Sequence, residues 1–110
     1  MTQLIELSQD DYGNSVQITL YKKDDRSVEN LTSVSKASID VTRLDETAIV
    51  SDGAVTISNA SSGIITFTPL ATWFTEAKLD GRSHFVAIIK LTYAAGVKRS
   101  FKIPMYLHRR

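Results

Sequence analysis

The chain has 110 residues, no cysteine, one tryptophan and a formal net charge of +1 at pH 7. This length predicts one domain, residues 1–110, that can bury a hydrophobic core without covalent cross-links. The lack of cysteine excludes a disulfide scaffold, a thiolate metal site and a cysteine nucleophile. Hydrophobic residues make up 43% and charged residues 23%, which is typical of a folded domain, and the near-neutral charge argues against a dedicated nucleic-acid-binding protein.

The sequence carries neither a membrane segment nor a secretion signal. Its longest uninterrupted apolar run is residues 85–89, whereas a membrane-spanning helix needs about 20 residues. Residues 1–6 lack the basic start and apolar stretch of a signal peptide. We therefore expect no membrane partner, and a location in the cytoplasm of the producing cell or in a particle assembled there.

Most of the chain has the period-two alternation of half-buried β-strands. Apolar and polar residues alternate over 16–21, 37–42, 55–57 and 65–67. Turn-forming stretches separate these segments; they are residues 10–14, 24–25, 52–53, 59–63, 80–81 and 94–96. Short strands at this spacing predict an all-β sandwich or barrel of about seven or eight antiparallel strands.

The last third of the chain predicts a long β-hairpin. Odd positions are apolar in residues 85–93 and 97–107, except Arg99 beside the turn. Residues 94–96 fit a three-residue loop with glycine where a positive φ is needed. We expect the odd residues to enter the core and the even residues to face outward. Because Pro104 cannot donate to a sheet ladder, we expect an edge or an exit from the sheet there.

One segment has a helical period instead. Leu70, Trp73, Phe74 and Ala77 have i, i+3, i+4, i+7 spacing, which predicts a short helix near 69–79 with Thr68 as its cap and Gly81 at its end. Trp73 and Phe74 are expected to plug one end of the sandwich. The predicted core comprises Ile18, Leu20, Ile39, Val41, Phe67, Trp73, Phe85, Ile89, Leu91, Phe101 and Ile103.

The sequence offers no constellation for catalysis or metal binding. A metal or catalytic role for His84 and His108, the two histidines, requires them to converge beside an orienting carboxylate. The acidic residues of 10–14, and Asp24, Asp25 and Glu29, are interpreted as turn-forming and solvated. We therefore predict a protein that is not an enzyme, with no cofactor and no metal.

Charge is divided along the chain. Residues 1–53 carry five basic and ten acidic side chains, net −5, and residues 54–110 carry eight basic and two acidic, net +6. Two interpretations remain open at this stage. Either the fold pairs the two halves internally, or oppositely charged surfaces dock copies of the chain head to tail or onto a partner.

The even-numbered, outward-facing positions of the final hairpin include apolar residues among polar ones. Val86, Ile88 and Tyr106 lie on this side, so either the 69–79 helix covers them or a partner does. We predict a protein interface with these three residues at its centre. Its basic rim, Lys90, Lys98 and Lys102, would meet acidic loops of a neighbouring chain, such as 24–25 or 45–46.

Short motifs in a fixed order carry a family resemblance. They are Asp11-Tyr12-Gly13-Asn14 before the strand 16–20, Asn30-Leu31-Thr32 before 37–41, Gly63-Ile64-Ile65-Thr66-Phe67, Asp80-Gly81 before 85–88, and Ser100-Phe101-Lys102-Ile103-Pro104. Together they resemble the N-terminal immunoglobulin-like domain of the phage baseplate upper protein family, from about residue 10 to residue 106. Asp80 stands where that family tends to have proline.

The resemblance implies an immunoglobulin-like sandwich that serves as a non-enzymatic phage virion structural protein. Such a protein docks into a tail or baseplate, neck or capsid, with other virion proteins and copies of itself as partners. It is expected to be a homo-oligomer within a virion that is assembled in the host cytoplasm. The alternative is a carbohydrate- or cell-surface-binding sandwich module, although such modules usually expose several aromatic residues.

Overall fold

The computed structural model describes residues 4–9, 12–22 and 27–109. The predicted turn residues Asp10 and Asp11 and the acidic pair Asp24-Asp25 lie outside the described residues. Within them, the chain forms eight strands and a four-residue helix: β1 (Ile5–Ser8), β2 (Val16–Thr19), β3 (Val34–Arg43), β4 (Ala48–Ala54), β5 (Thr56–Asn59), β6 (Ile64–Phe67), α1 (Glu76–Leu79), β7 (His84–Tyr93) and β8 (Lys98–His108).

The strands build an immunoglobulin-like β-sandwich, as predicted. One sheet has the order β1-β8-β7-β3-β4 and the other the order β2-β6-β5. All pairs are antiparallel except β1 with β8, which run parallel with Ile5 opposite Met105. Strand β1 was not predicted, because four residues near the chain start give too short an alternation to stand out.

The predicted hairpin is confirmed as β7 and β8. The Tyr93 N–H donates to the Val97 carbonyl at 2.8 Å across the 94–96 loop, and Gly96 has φ +87°. Ile89 lies opposite Phe101, so the odd residues of both strands share one side of the sheet. That side faces the core: Phe85, Ala87, Ile89, Leu91, Ile103, Met105 and Leu107 are buried.

Ten of the eleven predicted core residues are buried, and Phe101 is only partly buried. Phe101 lies near the loop end of β8, where Val97 and Arg99 on the same parity are already exposed. The core therefore thins toward the hairpin loop.

The predicted 69–79 helix is wrong in extent. The helix begins at Glu76, capped by Thr75, whose hydroxyl accepts from the Lys78 N–H. It ends at Leu79 and is followed by Asp80, which has φ +48°. Before it lies a turn in which the Trp73 N–H donates to the Leu70 carbonyl at 3.0 Å. Leu70 and Ala77 are exposed, so the four apolar residues do not form one helical face. Trp73 and Phe74 are nevertheless buried, as predicted.

The predicted turn at 52–53 is instead a β-bulge inside β4. Asp52 adopts φ +54°, and the β3–β4 register shifts between Ile39 and Val41. A Cβ on Gly53 would lie 2.9 Å from both the Ile39 Cγ2 and the Trp73 Cζ2 atoms. The glycine is thus required because the Trp73 indole packs directly on the backbone of β4.

The expectation for Pro104 is only half right. β8 does not leave the sheet after Pro104, because residues 105–108 pair with β1. Pro104 itself lies opposite Val86 on β7, one residue before the pairing with β1 begins. The missing N–H therefore falls where β8 has a partner strand on one side.

Candidate docking face

The even-numbered residues of β7 and β8, with those of β3 from Lys36 onward, form one surface, which we name the outer face. It lies on the side of the five-stranded sheet that is turned away from the three-stranded sheet, because the odd residues of β7 and β8 are the buried ones. Its centre is a cross-strand row in which Ile88 lies between Asp40 on β3 and Lys102 on β8. In the next row Val86 lies between Thr42 and Pro104.

The apolar centre of the outer face is not covered by the 69–79 segment. Helix α1 accepts hydrogen bonds from the Arg43 guanidinium through the Lys78 carbonyl, at 2.7 and 3.0 Å, and Glu76 accepts from Gln9 at 2.8 Å. These contacts hold the helix at one end of the sandwich. Val86 and Ile88 remain partly exposed.

An aromatic ladder borders this centre. The ring centroid of Tyr106 lies 5.1 Å from that of His84 and 4.7 Å from that of His108, both in edge-to-face geometry. The His108 Nε2 atom lies 3.2 Å from a carboxylate oxygen of Glu6 on β1. The two imidazoles pack on Tyr106 rather than on each other, and no group of three metal-ligating side chains occurs in residues 4–9, 12–22 and 27–109.

A depression of about 470 Å³ adjoins the ladder. Its lining includes Leu44, Arg82, His84 and Tyr106. Leu44 is 67% exposed, which makes it the most exposed large apolar side chain among the described residues. The depression therefore extends the apolar surface of the outer face beyond the end of β3.

The three lysines of the predicted basic rim differ in whether they form ion pairs within the described part of the chain. The Lys90 ammonium lies 3.1 Å from Asp40 and 2.7 Å from Asp52. Hydrogen bonds to these carboxylates raise the pKa of Lys90, and the same bond from Lys90 lowers the pKa of Asp52. Lys98 and Lys102 are exposed, and neither forms an ion pair within the part of the chain that the structure describes. Only these two keep their charge available to a partner.

Ion pairs inside the fold resolve part of the charge division. Pairs between the two halves of the chain are Arg82–Asp45, Lys90–Asp40, Lys90–Asp52 and Arg99–Glu29. Of the two interpretations left open, internal pairing therefore accounts for part of the opposite charge. Asp45, one of the acidic residues predicted to meet a neighbouring chain, already has partners within this chain. Hydrogen bonds from Thr47 hold the pKa of its carboxyl group below the usual value.

The prediction that Glu29 is solvated is wrong. Glu29 is 4% exposed, and its carboxylate pairs with the Arg99 guanidinium. Burial, followed by the nearby negative charge of Glu29, raises the pKa of Tyr93 beside them. The sequence signal for this cluster was Arg99 itself, the one charged residue at an inward-parity position of β8.

Comparisons with known proteins bear on the fold. No protein-family model and no curated protein matches the chain. CopC from Methylosinus trichosporium OB3b is a structural neighbour with a TM-score of 0.53 and 9% identity, covering 99% of this chain and 87% of that one. The PKD domain of the KIAA 1837 protein has a TM-score of 0.41 and 15% identity, with 98% and 82% covered.

The first immunoglobulin-like domain of human CD48 antigen has a TM-score of 0.32 and 12% identity, covering 98% of this chain and 84% of that one. At such identities a structural likeness describes the fold alone. Among the described residues, no helix has the length and apolar character needed to cross a membrane.

Proposed function

We propose that this chain is a non-enzymatic structural protein of a phage virion that docks through its outer face. The tail or baseplate, neck and capsid are the candidate sites, and other virion proteins are the partners. The observation that carries the proposal is the apolar centre of the outer face. Val86 and Ile88 stay partly exposed beside Tyr106, although every buried position of β7 lies on the opposite side.

The resemblance to the baseplate upper protein family supports the virion assignment. Five of its motif segments fall on regular strands of the sandwich, namely β2, β3, β6, β7 and β8. The Asp80-Gly81 motif falls on the left-handed turn between α1 and β7, where φ is +48° and +74°. The motifs therefore occupy the framework of the fold, which is consistent with a role in assembly rather than in catalysis.

Incorporation into particles tests this proposal. The double variant Val86→Asp/Ile88→Asp places two charges at the centre of the outer face, where desolvation opposes docking. We expect it to fold and to be lost from purified particles, as measured by immunoblot against a structural protein of the same particle. Val97→Asp is the matched control, because Val97 is 55% exposed in the hairpin loop, outside the centre of the face.

Normal incorporation of the folded double variant would contradict the docking role of the outer face. Loss of the Val97→Asp control as well would show that any added charge near the hairpin prevents assembly, which also removes the support for the outer face. Folding is followed by the fluorescence of Trp73, the single tryptophan, which is 6% exposed.

A carbohydrate- or cell-surface-binding module is the second candidate function. The observation that favours it is the depression lined by Arg82, His84 and Tyr106, which combines an aromatic ring with hydrogen-bond donors. A glycan array probed with the wild-type chain and with Tyr106→Ala separates the two candidates. Binding that is lost in Tyr106→Ala would favour the second.

A further inference from the structure

We propose that the outer face binds a second copy of this chain, packed sheet on sheet about a two-fold axis that runs along β7. This proposal rests on the proposed function, because both use the outer face for docking. It adds the identity of one partner, a second copy of the chain. Two sheets that pack face to face lie about 10 Å apart with their side chains interdigitated. The pairing pattern across the outer face determines which two-fold arrangement is favourable.

The central row has opposite charges on its two sides. Asp40 and Asp52 place two carboxylates on the β3–β4 side, where Lys90 pairs with both and the charge of Lys36 also acts on Asp52. Lys102, without an ion pair to any described residue, leaves +1 on the β8 side. Ile88 lies between the two.

A two-fold axis along β7 superposes these unlike charges. The operation exchanges the β3 and β8 sides while keeping the position along the strand, so Lys102 of each copy faces the acidic group of the other. Ile88 and Val86 then face their own equivalents, which gives a dry centre. An axis across the strands would instead bring Lys102 near Lys102 of the second copy, which electrostatic repulsion disfavours.

The lower row is complementary in the same arrangement. Tyr106, on the β8 side, faces the exposed Leu44 of the second copy, because Leu44 borders the same depression from the β3 side. Each copy thereby covers the most exposed apolar side chain of the other. The aromatic–aliphatic contact is formed twice in the dimer.

The hairpin end of the outer face opposes association. Lys36 and Thr92 lie in one row with Lys98, since Thr92 pairs with both lysines. Bringing two such ends together places lysines near lysines. Lys98 and Lys102 lie on the same strand and are both exposed. Lys102 therefore favours self-association, whereas Lys98 opposes it.

The area of the outer face indicates how tightly two copies should bind. Ten residues along the three strands of the outer face span about 33 Å by about 14 Å, or roughly 460 Å² of planar area per copy, from the standard strand rise and spacing. A typical stable interface buries about 800 Å² per partner. We therefore expect a reversible dimer that is measured over a broad concentration range.

Sedimentation equilibrium of the full-length chain and of two charge-reversal variants tests the proposal. Lys102→Glu should weaken the dimer about tenfold, because two attractive contacts become repulsive. Lys98→Glu should strengthen the dimer several-fold, because it replaces lysine–lysine repulsion with attraction. Both effects should shrink at 1 M salt. Lys102→Gln should give half or less of the Lys102→Glu effect.

Three results would overturn the proposal: a wild-type chain that is monomeric at every concentration, equal effects of the two reversals, or weakening by both. Weakening by both would indicate an acidic partner surface of different composition. Loss of Val86→Asp/Ile88→Asp from particles together with a monomeric wild type would leave the proposed function intact and exclude self-association. A wild-type dimer in which the two reversals act in opposite directions would support self-association. If the Val86→Asp/Ile88→Asp variant were still incorporated normally into particles, the proposed function would fail while the dimer proposal stood.

Discussion

At the scale of single residues, the pair Glu29–Arg99 explains two departures from a simple apolar core. Arg99 occupies an inward parity position of β8 because it neutralises a carboxylate that is 4% exposed. Glu29 is held in place by its own N–H, which donates to the Leu20 carbonyl at 2.8 Å. A buried carboxylate without a counter-ion is strongly unfavourable.

Arg99→Ala should therefore lower the free energy of unfolding by about 1–3 kcal/mol, the range for a hydrogen bond to a charged group. The guanidinium is about half exposed, which keeps the loss below that of a fully buried ion pair. Lys98→Ala, at the neighbouring exposed position, should change it by about 0.5 kcal/mol or less. Urea unfolding measures both, and equal losses would show that Glu29 does not depend on Arg99.

At the scale of elements, the long β7–β8 hairpin was predictable and the helix was not. Ten-residue alternation with a glycine-ended loop constrains both register and parity, so the sequence identifies which side of each strand is buried. Four apolar residues at helical spacing carry less information. In the 69–79 segment, Trp73 and Phe74 enter the core from a turn, and Thr75 starts the helix only afterwards.

The hairpin also shows a gradient of burial that parity alone does not predict. Phe85→Ala should cost about 3–5 kcal/mol of unfolding free energy, because Phe85 is 1% exposed. Phe101→Ala should cost less, because Phe101 is only partly buried near the loop end of the core. Thermal and urea unfolding compare the two variants. A larger loss for Phe101→Ala would contradict the thinning of the core toward the loop.

Long-range partners limited what the sequence could predict of the candidate site. The residues of the outer face follow from strand parity, and Val86, Ile88, Tyr106 and Lys102 lie on it as predicted. The pairing of Lys90 with Asp40 and Asp52 depends on β3 and β4 lying beside β7, and on a bulge that turns Asp52 toward the lysine. Such contacts join residues far apart in sequence, and parity does not reveal them.

At the scale of the whole molecule, the larger sheet of the sandwich has two chemically different sides. The inner side joins the core, and the outer side keeps apolar residues partly exposed between charged ones. Pairing inside the fold neutralises part of the charge that divides the two halves of the chain. Exposed lysines remain around the apolar residues of the outer face, which favours an interface with an apolar centre and a charged rim.

The central claim is that the two sides of β7 have different roles, and adjacent isoleucines test it directly. Ile88 is partly exposed on the outer face, whereas Ile89 is fully buried in the core. The measurement is urea unfolding of Ile88→Thr and Ile89→Thr, followed by Trp73 fluorescence at a protein concentration that keeps the chain monomeric. Threonine retains the β-branch and the strand preference, so the comparison isolates burial.

We predict that Ile88→Thr stays within about 1 kcal/mol of the wild-type free energy of unfolding, as surface substitutions do. Ile89→Thr should lose about 2–4 kcal/mol, because it buries a hydroxyl and opens a cavity. Equal losses in the two variants would show that the outer face is part of the chain's own core and would contradict its role as a docking surface.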